Sequence, residues 1–199
     1  MSAHTLPLKR SRDNPSINLN IIRNTRNPHS IIVYLHGLSS YCLEGKFLIP
    51  HLGDELSLCV YDSRAHGKNH AKLVTYGLLE SEELLEVVDE LVALGYKNVV
   101  LWGRSMGAVA CLRAMHAHPE HPALSHVRYI VADSPFCSFS EVAAQQISQK
   151  TQMPLFLSSV LADIFANQIR TKYGVNLNDI KLSHLTCSVP VTFLYSSRD

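Results

Sequence analysis

Five short runs of the chain are apolar almost throughout: 31–35 (IIVYL), 56–61 (LSLCVY), 98–102 (NVVLW), 127–132 (VRYIVA) and 189–195 (VPVTFLY). Runs of this length, rich in β-branched and aromatic residues and lacking strict alternation, predict strands buried on both faces, the pattern of a parallel sheet covered by helices. Between the second and third runs, 78–94 sets Leu84, Leu85, Val88, Leu91 and Val92 at helical spacing, and Gly95 stands where a helix ends in a left-handed turn. Strand and helix patterns alternate, which predicts an α/β fold, a doubly wound and mostly parallel sheet with right-handed crossovers.

The stretch after Asp133 is too long for a plain crossover and holds helical patterns of its own at 142–148 and 154–168. It predicts a helical lid inserted at about 134–186. The second of these helices aligns Leu157, Val160, Leu161, Ile164 and Phe165 on one stripe. That stripe is expected to face a core; covering an acyl pocket is the alternative. Residues 1–15 are polar and carry Pro7 and Pro15, so a flexible arm is expected there, leaving 16–199 as one domain. A chain of 199 residues with 46% hydrophobic content is long enough for one sizeable core.

Charge narrows the partners: 18 basic and 17 acidic residues nearly cancel, leaving no field to draw in nucleic acid. No window reaches the roughly 18 apolar residues of a membrane span, so no transmembrane segment is expected, while peripheral membrane contact stays open. The first residues lack the apolar stretch of a secretory leader, and five cysteines in no CxxC spacing suit a reducing compartment. A cytoplasmic protein is expected. The tract His116-Ala117-His118-Pro119-Glu120-His121 invites a metal reading, but histidines two apart do not share a helix face and Pro119 should end the helix, so a solvated helix end is expected instead. With no GxGxxG or GxxxxGK[ST] pattern either, neither metal nor cofactor is expected.

The chemistry concentrates at Gly103-Arg104-Ser105-Met106-Gly107, directly after the strand pattern NVVLW and directly before the helical Ala108-Val109-Ala110-Cys111-Leu112. A strand that turns into a helix within about three residues strains the central serine and leaves no room for side chains on either side, so glycines belong at 103 and 107. Such a nucleophile elbow holds Ser105 out to attack an acyl carbon. The helix N-terminus aims the Met106 N–H at the same point, where it would stabilise an oxyanion. A second donor should come from the loop after 31–35, where His36-Gly37-Leu38 stands and the Leu38 N–H is the candidate. Gly37 is expected to permit the turn and His36 to make structural hydrogen bonds. Cys42 lies close to this loop but, as a nucleophile, has no better partner than Ser105.

Tyr61-Asp62-Ser63-Arg64-Ala65-His66-Gly67 resembles the DxRGHG segment of the α/β-hydrolases, with Ala65 in place of the usual glycine and Asn69 where serine is frequent. Together with His36-Gly37, GRSMG and Asp133-Ser134-Pro135-Phe136, it makes 30–199 similar to the serine-aminopeptidase-type branch of that superfamily. The resemblance implies a serine hydrolase acting on an ester, thioester or amide, with a small-molecule or lipid-like acyl substrate or a peptide, on a scaffold that hosts many substrates. Family order is serine, acid, histidine, so the resemblance implies Asp199 as the acid. Asp133 is the alternative acid, with capping of its own loop the expected role.

All eleven histidines precede Asp199, so the triad is incomplete and the closing strand and helix of the fold are missing. The 199 residues are therefore expected to be a fragment of an active hydrolase and nearly inert alone, since losing the triad histidine can cost about 10⁶ in kcat. The alternative is a non-catalytic interaction protein on the same fold.

Overall fold

A computed structural model describes residues 2–9, 13–24, 26–53, 55–182 and 185–195. Among the described residues, seven strands form one mixed, mostly parallel sheet: β1 (Ser2–Pro7), β2 (Ser16–Ile22), β3 (Ser30–Leu35), β4 (Ser57–Val60), β5 (Asn98–Arg104), β6 (Val127–Asp133) and β7 (Val191–Leu194). Their order is β1-β2-β4-β3-β5-β6-β7. The last five strands in that order run parallel to one another, and β1 and β2 add an antiparallel flank. From β3 the chain goes to β4 on one side, then crosses to β5 on the other. The crossovers thus diverge at the carboxyl ends of β3 and β5, the place in open α/β sheets where ligands bind.

Two faces of the sheet are covered. Ile32, Tyr34, Leu58 and Val60 cluster with Cys42 and Leu48 of the 3-10 segment Cys42–His51. The alternate set, Ile31, Val33, Val99 and Leu101, is equally buried, as the two-residue period of a strand requires where the centre of a sheet is covered on both faces. On that side, α2 (Met106–Ala117) packs against β3, β5 and β6, and α1 (Leu78–Ala93) packs against α2. Helix α1 starts where the Glu80 carboxylate accepts hydrogen bonds from the Gly77 N–H and the Thr75 hydroxyl, at 2.8 and 2.6 Å, satisfying donors that a helix start leaves over. It stops at Gly95, whose φ is +96°.

The start of the chain differs from the loose arm expected for 1–15. Ser2–Pro7 is a strand, paired antiparallel with β2 from Ser2–Ile21 to Pro7–Ser16. Beyond it, the Lys9 N–H donates to Glu86 at 2.6 Å and the Asn14 amide to Glu83 at 2.9 Å. Asp13 accepts two hydrogen bonds from Arg64, each 2.6 Å, and that guanidinium, fully buried, also reaches Glu83 and the Leu73 carbonyl. Long-range polar contacts, invisible in local pattern, hold this segment.

Residues Phe136–His184 form a second compact unit. It contains α3 (Phe139–Thr151), capped by the Ser138 hydroxyl, and α4 (Leu155–Tyr173), ended by Gly174 at φ +70°. Helix α4 packs on α3 and buries Ser158, Ala162, Ala166 and Ile169. The stripe expected to face a core is instead exposed: Leu157 41%, Val160 54%, Leu161 42%, Ile164 50% and Phe165 42%. Small side chains let the two helices approach closely, so the buried face of α4 is its serine and alanine face. No helix among the described residues is long and apolar enough to cross a membrane.

Candidate active site

Ser105 sits at the junction of β5 and α2 with φ +49° and ψ −114°, a conformation that favours glycine and that side chains adopt under strain. The glycines on either side are sterically required. A Cβ at position 103 would collide with the Gly107 backbone and the Ala108 nitrogen, and a Cβ at 107 with the Leu35 carbonyl. The turn is anchored from both directions: the Ser105 N–H donates to the Asp133 carbonyl at 2.7 Å, and the Ser105 carbonyl accepts from Val109 at 3.1 Å. Met106, as the first residue of α2, presents an N–H with no intrahelical acceptor.

The loop after β3 lies against this turn. A Cβ on Gly37 would stand 3.4 Å from both the Arg104 carbonyl and the Ser105 Cβ. A side chain at 37 would thus meet ordinary contact rather than a clash, and the positive φ of the loop, +60°, falls on Ser39. Leu38 lies between them, and its N–H meets no backbone acceptor among the described residues. Structure thus brings Ser105, Met106, Gly37 and Leu38 together at the diverging strand ends.

His36 and His66 fix that loop from below. His36 is completely buried; its Nε2 accepts from the Ser63 N–H at 3.0 Å, which leaves Nδ1–H to donate to the Gly37 carbonyl at 2.8 Å. Burial pushes its pKa below the ordinary histidine value. His66 repeats the arrangement with Nε2 accepting from the Ser39 N–H at 3.1 Å and Nδ1 on the Arg64 carbonyl at 2.9 Å. The two rings meet edge to face, 5.0 Å between centroids. All four ring nitrogens are committed to backbone, so neither imidazole is placed to take a proton from Ser105.

The DxRGHG-like segment explains its own departure. Ala65 has φ +56°, so the usual glycine there would relieve a strained backbone. Gly67, at φ +50°, leaves room for the Asp62 carboxylate, which a Cβ would strike. Asp62 accepts from the Cys42 N–H at 2.7 Å and the Lys68 N–H at 2.9 Å. Burial raises its pKa, and these amides together with the Cys42 side chain and the His36 charge more than offset that, bringing the carboxyl below its usual range. Cys42 itself is pushed up to about 11, first by burial, which keeps it a thiol rather than a nucleophilic thiolate.

Asp133 ends β6 in register with Arg104, and its carboxylate accepts from the Ser134 hydroxyl at 3.1 Å. Asp199 lies outside the described residues. The histidine tract is spread over separate partners: His118 pairs with Glu82 at 2.6 Å, His121 faces Asp89 at 3.6 Å, and His116 Nδ1 accepts from the Thr186 N–H at 3.4 Å. Among the described residues no cluster of three or more His, Cys, Asp or Glu is placed to hold a metal. Residues that sequence reasoning passed over also meet at the turn. Glu44 contacts both Arg104 and Ser40, a link carried by no motif.

An open, mostly parallel sheet with a strained serine turn at its switch point defines a class of α/β proteins. Within it the chain belongs to the alpha/beta hydrolase fold family, which residues 30–197 match. The chain is 27% identical over 177 residues to the uncharacterised protein YqkD of Bacillus subtilis (strain 168), covering 86% of this chain and 55% of that protein. It therefore spans about half the length of that relative. Among solved structures it is similar to the Pyrococcus furiosus esterase Pf2001, with TM-score 0.67 and 22% identity over 96% of this chain and 69% of that one. The thioesterase domain from the curacin biosynthetic pathway has TM-score 0.59 and 17% identity over 99% and 84%. At these identities the likeness is one of fold.

Proposed function

We propose that the protein is a serine hydrolase in which the Ser105 hydroxyl attacks the carbonyl of an ester, thioester or amide. The Met106 and Leu38 N–H groups receive the oxyanion. As it collapses the substrate C–O, C–S or C–N bond breaks, the alcohol, thiol or amine leaves with the proton the base took from Ser105, and water then hydrolyses the acyl-serine ester to release the acid. The strained conformation of Ser105 between two sterically required glycines carries this reading. Since His36 and His66 spend both ring nitrogens on backbone, the base is a different histidine, which family order puts after the acid. Asp199 is the acid in this proposal, and Asp133 holds its own loop through Ser134. The resemblance of its His36-Gly37, GRSMG and Asp133-Ser134-Pro135-Phe136 segments to the serine-aminopeptidase-type branch supports the same assignment, and the five free cysteines suit the cytoplasm.

The test is fluorophosphonate labelling of the protein expressed from its complete coding sequence. Label should appear on Ser105 and vanish in Ser105→Ala. Equal labelling of the two proteins, or none of either, overturns the assignment and leaves a binding role on this fold.

A further inference from the structure

We propose that Glu44 is a positioning residue that ties the loop after β3 to the serine turn after β5 and thereby sets the spacing of the two oxyanion donors; this rests on the reading of Ser105 as the nucleophile. Glu44 lies in the first turn of the 3-10 segment Cys42–His51, with its side chain 25% exposed. One carboxylate oxygen accepts from the Arg104 guanidinium and the other from the Ser40 hydroxyl. Arg104 immediately precedes Ser105. Ser40 follows Leu38 by two residues, and its N–H closes the turn onto the Gly37 carbonyl at 3.3 Å. A single side chain thus grips both the loop that carries Leu38 and the turn that carries Ser105.

An oxyanion site needs two N–H groups within about 2.7–3.1 Å of one oxygen. Here they belong to elements distant in sequence, Leu38 on a loop and Met106 on a helix start. The far side of the loop is already fixed, since His66 accepts from Ser39; Glu44 fixes the side next to the elbow. Arg104 is 53% exposed, so the ion pair contributes little to stability. Its consequence is geometric, and a displacement of about 1 Å at such a site costs on the order of 10²-fold in rate.

Glu44→Ala, Glu44→Gln and Ser40→Ala in the full-length protein test this with two independent readouts. Hydrogen exchange should rise about tenfold or more at the amides of 37–41 in Glu44→Ala, because a loop freed of its tie opens locally at lower free energy, with the melting temperature unchanged; Glu44→Gln, which keeps one acceptor oxygen, should fall between. With a p-nitrophenyl ester, kcat should fall about 10²-fold in Glu44→Ala with KM within about twofold, partly restored in Glu44→Gln. Adding Ser40→Ala to Glu44→Ala should change nothing further. Wild-type exchange and kcat in Glu44→Ala overturn the proposal, as does a loss of activity matched by a loss of melting temperature. A wild type that no fluorophosphonate labels at Ser105 refutes the hydrolase reading instead, and the exchange measurement still decides whether Glu44 holds the loop.

Discussion

Replacing Ser105 by glycine should make the protein more stable while abolishing its proposed chemistry. Ser105 is held at φ +49°, ψ −114°, and a side-chain-bearing residue in such a region costs about 1–3 kcal/mol. Glycine removes that strain and loses about 0.5–1 kcal/mol through its freer unfolded chain. The net gain is about 1 kcal/mol, which for a domain of this size raises the melting temperature by about 2–4 °C. Ser105→Ala is the necessary comparison. It loses the same hydroxyl but keeps the Cβ, and with it the strained backbone, so the difference between the two variants isolates the conformational term from any contact of Oγ. Differential scanning calorimetry of wild type, Ser105→Ala and Ser105→Gly under identical conditions reads it directly. Should Ser105→Gly melt at or below Ser105→Ala, the backbone at this turn is not strained, and the main support for a built nucleophile falls with it.

Three further outcomes follow from the same geometry. Gly107→Ala drives a Cβ into the Leu35 carbonyl and should cost about 2–3 kcal/mol, overpacking against backbone that cannot move aside; a urea midpoint equal to wild type would contradict it. His36 has a folded-state pKa below the ordinary 6.5 because burial disfavours its charged form, so its contribution is full above pH of about 6.5 and is lost as pH falls through the folded-state value. Urea midpoints should therefore drop between pH 7.5 and 5.5, and the drop should shrink in His36→Asn; an equal drop in both proteins excludes His36 as its source. Because the α4 stripe is exposed, Val160→Ser and Ile164→Gln should change stability by no more than about 0.5 kcal/mol, whereas Ala162→Leu, at a fully buried position, should cost about 1–3 kcal/mol by thermal melting.

The predicted runs 31–35, 56–61, 98–102 and 127–132 coincide closely with β3, β4, β5 and β6; β3 and β4 are buried at every position, and β5 and β6 keep a fully apolar inner face. Such runs have no competing explanation at this length. β1 is unreadable because Leu6 is its one buried side chain and prolines stand at 7 and 15; its place comes from pairing with β2 and from polar ties to α1 that act across the chain. The segment Cys42–His51 hides for a different reason. It is a 3-10 helix interrupted by Pro50, and Gly45 is there because a Cβ would come within 2.6 Å of the Tyr34 ring. In α4, periodicity finds two faces without telling which is buried, and the small one is. At the site, the glycines around Ser105 are legible since each answers a steric demand inside five residues. The meeting of Ser40, Glu44 and Arg104 is not, because one of its bonds spans 60 positions.

The buried guanidinium of Arg64 makes the beginning of the chain indispensable to its middle. Cutting before residue 16, where the local pattern invites a domain boundary, would remove Asp13 and strip a sealed cation of two of its hydrogen bonds. It would also bare the outer edge of β2, an open template for pairing with other chains. Expression products that begin at residue 16 should therefore accumulate as aggregate, and the practical first residue of this domain lies upstream of β1.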